Sequence, residues 1–171
     1  SSISIGDYDH DGYADIVMQI YHKYMDGDEE KGERKLALYK NNGDGTFTEQ
    51  KVFEPIPYES NPTPGGLFDM DLDQDDNIVA TPKKIMRPLT HGAVAMGDLN
   101  GDGWLDIVAT GWADGDNGGA NMTIYKNNGD GTFSEVDLRD KDFVGLQEAE
   151  LVMADVNNDG NLDFIAFGSP N

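Results

Sequence analysis

The chain has 171 residues, a length typical of a single domain that buries most of the surface its unfolded form exposes. Twelve Lys and Arg stand against 33 Asp and Glu, so the formal net charge is −21. Such an acidic chain repels phosphate, which excludes nucleic acid as a partner. The absence of cysteine excludes disulfides, thiolate zinc sites and a cysteine nucleophile. No apolar run approaches the roughly 20 residues that span a bilayer, so no membrane insertion is expected.

One acidic phrase occurs three times along the chain, at residues 6–16, 97–107 and 154–164. A second phrase, Asn-Asn-Gly-Asp-Gly-Thr-Phe, follows the first two copies and begins at Asn41 and again at Asn127. The two phrases alternate, so the chain is built from repeated units. The first unit is longer than the second and therefore carries an insertion.

Short apolar or β-branched runs flank these phrases, and such runs bounded by Gly, Asn and Asp predict strands. The Asn-Gly and Asp-Gly pairs of the second phrase supply the positive φ angles that tight hairpins require. No stretch has a helical period of apolar residues. Each unit is therefore predicted to form four antiparallel strands, and the fold class is all-β. In chain order the predicted strands include residues 3–5, 16–18, 36–39, 46–47, 93–96, 107–109, 122–125, 132–133, 151–153 and 164–167.

The acidic phrase places oxygen-bearing side chains at positions 1, 3, 5 and 9 of a loop, with glycine at position 6. Alternate residues converge on one centre when a chain wraps around an ion, and position 7 would add its backbone carbonyl. Six or seven hard oxygens on a flexible loop suit Ca²⁺ better than Mg²⁺. The predicted ligands are Asp7, Asp9, Asp11, Tyr13 and Asp15 in loop 1, Asp98, Asn100, Asp102, Trp104 and Asp106 in loop 2, and Asp155, Asn157, Asp159, Asn161 and Asp163 in loop 3.

Two other calcium modules are excluded. An EF-hand needs a Glu at position 12 and a following helix, whereas this chain has Met18, Ala109 and Ala166 there, within predicted strands. Dockerin-type repeats are excluded for the same reason, because they also need a helix after the loop. The alternative is that the loops are solvated turns, but three copies with the same four positions favour a metal, because clustered carboxylates repel one another without a cation.

Other acidic stretches of the sequence are weaker candidates for metal binding. Residues 26–33 and 114–121 lie between the second and third strands of their units and are predicted to be exposed turns. Residues 69–76 resemble a fourth loop but lack the glycine at position 6, and Val79 stands at the ninth position. This stretch is at most a degenerate metal site.

The loops, the hairpin phrase and the closing Phe167-Gly168-Ser169-Pro170 resemble the FG-GAP and VCBS repeats of integrin-α-like β-propellers. The resemblance implies four-stranded antiparallel blades, each with Ca²⁺ in the loop between its first and second strands, so about three calcium sites. Asn replaces Asp at position 3 of two loops, and Ala154 replaces the usual glycine before the third loop.

The implied organisation is a partial propeller within one repeat domain. A closed propeller needs at least four blades, so we expect the rest of a larger chain, or further copies, to complete the ring. An unfinished blade also leaves open strand edges. The predicted parts are a first blade at about 1–53, an insertion or irregular blade at about 54–91, a second blade at about 92–148 and half of a third at about 149–171.

The favoured function is a calcium-stabilised binding or scaffold module of a secreted or cell-surface protein, with an unknown protein or glycan as ligand. Extracellular calcium loops bind with dissociation constants of about 0.1–1 mM, which match external calcium. Trp112, Tyr58 and Tyr21 are candidates for stacking on sugar rings, and burial in the core is the alternative for them.

Two alternatives remain, a calcium-dependent polysaccharide lyase and a self-assembling structural module. The three histidines, His10, His22 and His91, have no evident partner in the sequence. No nucleophile elbow, phosphate loop or His-Glu zinc pattern is present. No catalytic residue is therefore predicted, and the chain is not expected to be an enzyme.

Overall fold

The computed structural model describes residues 2–50, 56–57, 68–72, 78–82, 89–113, 119–136, 138 and 145–170. Within these ranges every regular element is a β-strand, and every strand pair is antiparallel. The same ranges contain no helix long and apolar enough to cross a membrane. The all-β prediction is confirmed.

The first sheet has four strands that are neighbours in chain order, and the hydrophobic runs predicted as strands lie within them. A short fifth strand from the insertion pairs with the third strand of this sheet. The strands are β1 (Ser2–Gly6), β2 (Asp15–Asp26), β3 (Glu29–Asn41), β4 (Phe47–Gln50) and β5 (Ile56–Pro57).

The insertion also contains a two-stranded sheet of β6 (Phe68–Leu72) and β7 (Ile78–Pro82). In the stretch predicted as a degenerate fourth loop, residues 69–72 therefore lie in a strand. Residues 73–76 lie outside the described part of the chain.

The second sheet repeats the topology of the first, with four strands in chain order. The third sheet has two strands. In the first, second and third sheets, but not in the β6–β7 sheet, the acidic loop joins the first strand to the second, as predicted for propeller blades. The strands are β8 (Thr90–Gly97), β9 (Asp106–Ala113), β10 (Gly119–Asn127), β11 (Phe133–Val136), β12 (Gln147–Ala154) and β13 (Asp163–Ser169). The three sheets are called blades 1, 2 and 3 below.

The prediction of an exposed turn over residues 26–33 was wrong in its extent. The β2–β3 ladder continues without a break to the pair Asp26 and Glu29, which leaves only Gly27 and Asp28 as the turn. The corresponding ladder in blade 2 ends at the pair Ala113 and Gly119. Polar residues do not prevent strand pairing when the backbone ladder is already formed. The charged composition of this segment was therefore not sufficient to predict a loop. Residues 114–118 lie outside the described residues.

The first strands of the three blades run next to one another, β1 beside β8 and β8 beside β12. The hydroxyls of Ser2 and Ser4 accept hydrogen bonds from the backbone N–H groups of Val94 and Met96, at 3.1 and 3.0 Å. These bonds satisfy donors on the edge of blade 2 that pair with no strand among the described residues. The core lies between the blades and contains Tyr8, Val17, Leu38, Leu89, Val94, Ile107, Ala109 and Tyr125.

Candidate metal-binding loops

Loop 1 is closed by its own backbone. The carboxylate of Asp7 accepts hydrogen bonds from the N–H groups of Asp11 and Gly12, at 3.1 and 3.0 Å. Asp9 accepts from Asp11 at 3.3 Å, and Asp11 accepts from Tyr13 at 2.9 Å. Each carboxylate oxygen has two lone pairs, so these bonds shape the loop and leave acceptor sites for a cation.

Loops 2 and 3 contain the same set of bonds at the same positions. The side chain at position 1 accepts hydrogen bonds from the amides of positions 5 and 6. The side chain at position 3 accepts from the amide of position 5, and the side chain at position 5 accepts from the amide of position 7. The acceptors are Asp98, Asn100 and Asp102 in loop 2 and Asp155, Asn157 and Asp159 in loop 3.

Two positions in each loop have a left-handed backbone. The predicted one is the glycine at position 6, with φ of 88° at Gly12 and 91° at Gly103. The other is position 4, where His10 has φ of 60°, Gly101 has 72° and Asn158 has 63°. Sequence reasoning missed position 4, although His, Gly and Asn are residue types that enter this region more readily than most.

The ninth residue connects the loop to the hairpin of the same blade. Asp15 is fully buried, and its two carboxylate oxygens accept from the amides of Tyr8 at 3.2 Å and Asn41 at 2.8 Å. Tyr8 belongs to the loop, whereas Asn41 begins the Asn-Asn-Gly turn. Burial raises the pKa of Asp15 above its ordinary value, although both amide hydrogen bonds act in the opposite direction.

Blade 2 repeats this bridge. Asp106 is buried and accepts from the amides of Leu99 at 3.1 Å and Asn127 at 2.9 Å, and burial raises its pKa. In blade 3, Asp163 accepts from the amide of Val156 at 3.1 Å and is only half-buried. A connection to a hairpin is thus present in blades 1 and 2, where the hairpin is among the described residues.

Loop 1 brings three carboxylates into metal-binding range. One oxygen each from Asp7, Asp9 and Asp15 lies within 4.8 Å of the other two. Of the acidic and histidine side chains in the described ranges, only these form such a group of three. In loops 2 and 3 an asparagine occupies position 3, so a carboxamide oxygen stands where loop 1 has the carboxylate of Asp9. This all-oxygen donor set has the chemistry of a hard-cation site and fits Ca²⁺.

A lysine from the hairpin lies against the acidic loop, which sequence reasoning did not predict. The ammonium of Lys40 contacts the carboxylate of Asp9 and that of Asp11, the latter at 2.6 Å. The hydrogen bond from Lys40 is the main cause of the lowered pKa of Asp11, and the two carboxylates raise the pKa of Lys40. Loop 1 therefore has an internal counter-ion.

Blade 2 has the same arrangement in a looser form. Lys126 lies 3.2 Å from Asp102. The backbone amide of Trp104 is the main cause of the lowered pKa of Asp102, and Lys126 contributes less. Both lysines directly precede the Asn-Asn-Gly turn, so the repeated Tyr-Lys-Asn-Asn phrase was the signal available in the sequence.

Position 7 packs on the hairpin. A Cβ built on Gly43 would lie 2.5 Å from the ring of Tyr13, and one on Gly129 would lie 2.9 Å from the ring of Trp104. A glycine is therefore required in the turn because the aromatic ring covers its backbone. The metal-ligand role predicted for the backbone carbonyl of position 7 stays a prediction.

His10 joins the loops of neighbouring blades. Its ring stacks on Trp104 with 4.3 Å between centroids and 8° between planes. Its Nε2 lies 2.9 Å from the carbonyl oxygen of Gly103. His10 thus has a partner that the sequence did not indicate, because the adjacent blade supplies a contact that no local pattern could show.

Two of the three predicted sugar-stacking residues lie among the described residues. Tyr21 is exposed to 36% on β2, and Trp112 is half-buried on β9. Tyr58 lies outside the described residues.

Residues 98–166, from loop 2 into β13, match the family model of the FG-GAP-like repeat, so this part of the chain is similar to that repeat. Searches of the curated proteins and of the solved structures found no match.

Proposed function

We propose that this chain is a calcium-stabilised extracellular module of the β-propeller type that recognises a protein or a glycan. The single observation that carries the calcium role is the convergence of Asp7, Asp9 and Asp15 to within 4.8 Å in a loop whose bond pattern recurs twice. In this proposal the ion is structural. The side chains of positions 1, 3, 5 and 9 hold it, and its charge offsets the repulsion between carboxylates.

The distribution of bonds supports a stabilising role. Asp15 and Asp106 already connect each loop to its hairpin, so a cation bound to the same carboxylates would reinforce the junction of three strands. A cation would also offset the cost of burying these two charges. Loops of this class bind calcium in the range of extracellular concentrations, which is the basis for proposing an extracellular location.

The surface for ligand recognition is proposed to be the long β2–β3 hairpin. It extends beyond its counterpart in blade 2, and along it Tyr21, Tyr24 and Met25 are exposed to 36%, 45% and 64%. Aromatic and methionine side chains of this kind favour contact with proteins or sugars. A screen of neutral and acidic polysaccharides, read for both binding and product release, separates a binding module from a lyase.

The calcium role is tested by thermal unfolding and calorimetric titration. Chelation should lower the melting temperature, and Ca²⁺ should restore it better than Mg²⁺. Each site adds about 2.7 kcal/mol when free calcium is about a hundredfold above the dissociation constant. An unchanged melting curve with no heat of binding contradicts the proposal.

A matched pair of variants locates the sites. Asp102→Ala should reduce the stoichiometry from three to two. Asp130→Ala should leave it at three, because Asp130 makes the same kind of bond to a backbone amide two residues on but lies in the hairpin turn. Equal effects of the two variants would mean that the heat of binding arises outside the acidic loops.

A further inference from the structure

Blade 1 has an apolar face directed away from blade 2. The leading face is defined as Ile3, Ile5, Ile16 and Met18, because Ile3 pairs with Met18 and Ile5 with Ile16 across the β1–β2 ladder. Ile3 and Ile5 are exposed to 56% and 64%. On the opposite side of β1, Ser2 and Ser4 contact blade 2.

The equivalent face of blade 2 is covered. Val94 and Met96 occupy the positions of Ile3 and Ile5, and blade 1 packs on them. Val94 is exposed to only 4%. The surface of blade 2 that corresponds to the leading face is thus the interface with blade 1.

Blade 3 has the complementary face. The trailing face is defined as Val152, Ala154, Ile165 and Phe167, and Val152 pairs with Ile165. The exposed Glu150 pairs with Phe167 and forms the charged border of this face. Val152, Ile165 and Phe167 are exposed to 49%, 45% and 57%.

The corresponding residues of blade 2 lie under blade 3. Ala95, Val108 and Thr110 are exposed to 7%, 0% and 0%. The hydroxyl of Thr110 is hydrogen-bonded to the backbone of Leu146, directly before β12.

At the two interfaces between blades, the packing limits the combined size of two facing residues. The last residue of the first strand is a glycine, and a leucine from position 8 of the next loop occupies the space beside it. A Cβ on Gly6 would lie 2.6 Å from Leu105, and one on Gly97 would lie 3.2 Å from Leu162. A larger residue at the glycine position therefore requires a smaller one at position 8.

The outer faces have neither the glycine nor the leucine of this pair, and the two differences compensate each other in size. The trailing face has Ala154 in place of glycine, and loop 1, beside the leading face, has Ala14 in place of leucine. The methyl group of Ala154 would clash with a leucine but has room beside Ala14.

The loops show a matching second contact. Position 4 of one loop lies against position 7 of the next, as His10 does on Trp104, and Gly101 lies beside Asn161. Across the outer faces the pair would be Asn158, whose φ of 63° resembles that of His10, and Tyr13, which is exposed to 48%.

We propose that the trailing face of one copy of this chain binds the leading face of a second copy, head to tail. The contact continues the packing seen between blades 1 and 2 and between blades 2 and 3, and it does not depend on the calcium proposal. Such a heterologous contact closes into a ring when the rotation between copies permits and otherwise extends as a filament.

The experiment is a mass measurement by light scattering and sedimentation over a wide range of concentration. Physiological ionic strength is needed because a net charge of −21 on each copy opposes association at low salt. The wild type should show at least twice the mass of one chain at high concentration.

Two variants each block one face. Ile5→Lys and Ile165→Lys should each be monomeric alone, whereas an equal mixture should form a one-to-one dimer, since each retains the face that the other lacks. Ile3→Lys and Phe167→Lys form a second such pair if a first variant fails to fold, as judged by circular dichroism and melting.

Val136→Lys is the control. It adds the same charge at a residue of the outermost strand of blade 2 that is exposed to 38%, and it should retain the wild-type mass. A wild type that stays monomeric, single variants that keep the wild-type mass, or a mixture that stays monomeric would each overturn the proposal.

Discussion

Loop 1 and loop 3 are copies of one phrase, but they differ in the burial of the ninth residue. Asp15 is fully buried and accepts amide hydrogen bonds from Tyr8 and Asn41, whereas Asp163 is half-buried and accepts from Val156. Asn41 belongs to the hairpin of blade 1, and no equivalent hairpin lies beside Asp163 in the described residues. The loop thus forms from its own sequence, whereas burial of its last carboxylate depends on the hairpin of the same blade.

This comparison separates two contributions to stability. The bonds that the side chains of positions 1, 3, 5 and 9 accept from loop amides recur in both copies, because they join residues two to seven positions apart. Loop 3 adds one from the amide of Asn158 to Asp155. The bond to the hairpin joins residues 26 positions apart in blade 1. Loss of the ninth carboxylate should therefore be costly in blade 1 and mild in blade 3.

The largest expected effect is that of Asp15→Ala. The variant leaves the amides of Tyr8 and Asn41 without acceptors, and removal of a charged acceptor from buried donors costs about 3 kcal/mol. The matched variant Asp163→Ala should cost about 1 kcal/mol, because its site is partly solvated. Urea unfolding in the presence of a chelator measures both free energies of unfolding without a contribution from metal. Equal losses would show that the hairpin does not distinguish the two loops.

Substitution of the hairpin lysines should have a smaller effect, which is on calcium affinity. It extends the comparison to loops with and without an internal counter-ion. Lys40→Met removes a cation that contacts two carboxylates, so loop 1 should bind calcium about fivefold more tightly. Lys126→Met should change the affinity less, since Lys126 contacts one carboxylate at 3.2 Å. Calorimetric titration measures both.

The matched control for these variants is Lys35→Met. Lys35 pairs with Glu49 at 2.8 Å on the β3–β4 ladder, away from the acidic loop. It removes the same charge from the same blade and should leave the calcium affinity within the error of measurement. A gain in affinity equal to that of Lys40→Met would mean that net charge, and not the local contact, controls binding.

The smallest expected effect is that of His10→Ala, which tests the contact between loops 1 and 2. Loss of the stack on Trp104 should lower the free energy of unfolding by about 1 kcal/mol, and it should shift the tryptophan fluorescence to longer wavelength. His10→Phe should restore most of the stability, because it keeps the stack without the hydrogen bond to Gly103. If the phenylalanine variant is as unstable as the alanine variant, the hydrogen bond carries the contact.

Much of the fold was predictable because its signals are local. Alternating Asp and Asn around Gly12, Gly103 and Gly160 indicated three loops, and the Asn-Asn-Gly phrase indicated the hairpins, since both depend on φ angles and on bonds between near neighbours. The strands of blades 1 and 2 followed from the apolar runs between these phrases. The exception was the length of β2 and β3, where pairing overrode polar composition.

The tertiary structure alone decided which of these groups meet. The sequence determined that the acidic loops close on themselves, because each carboxylate finds an amide within a few residues. It did not determine that Lys40 lies against Asp9, that His10 lies on Trp104, or that Ile5 remains exposed while Met96 is half-buried. Those outcomes depend on residues distant in the chain and on which blade covers which face, and such long-range packing has no local periodicity to reveal it.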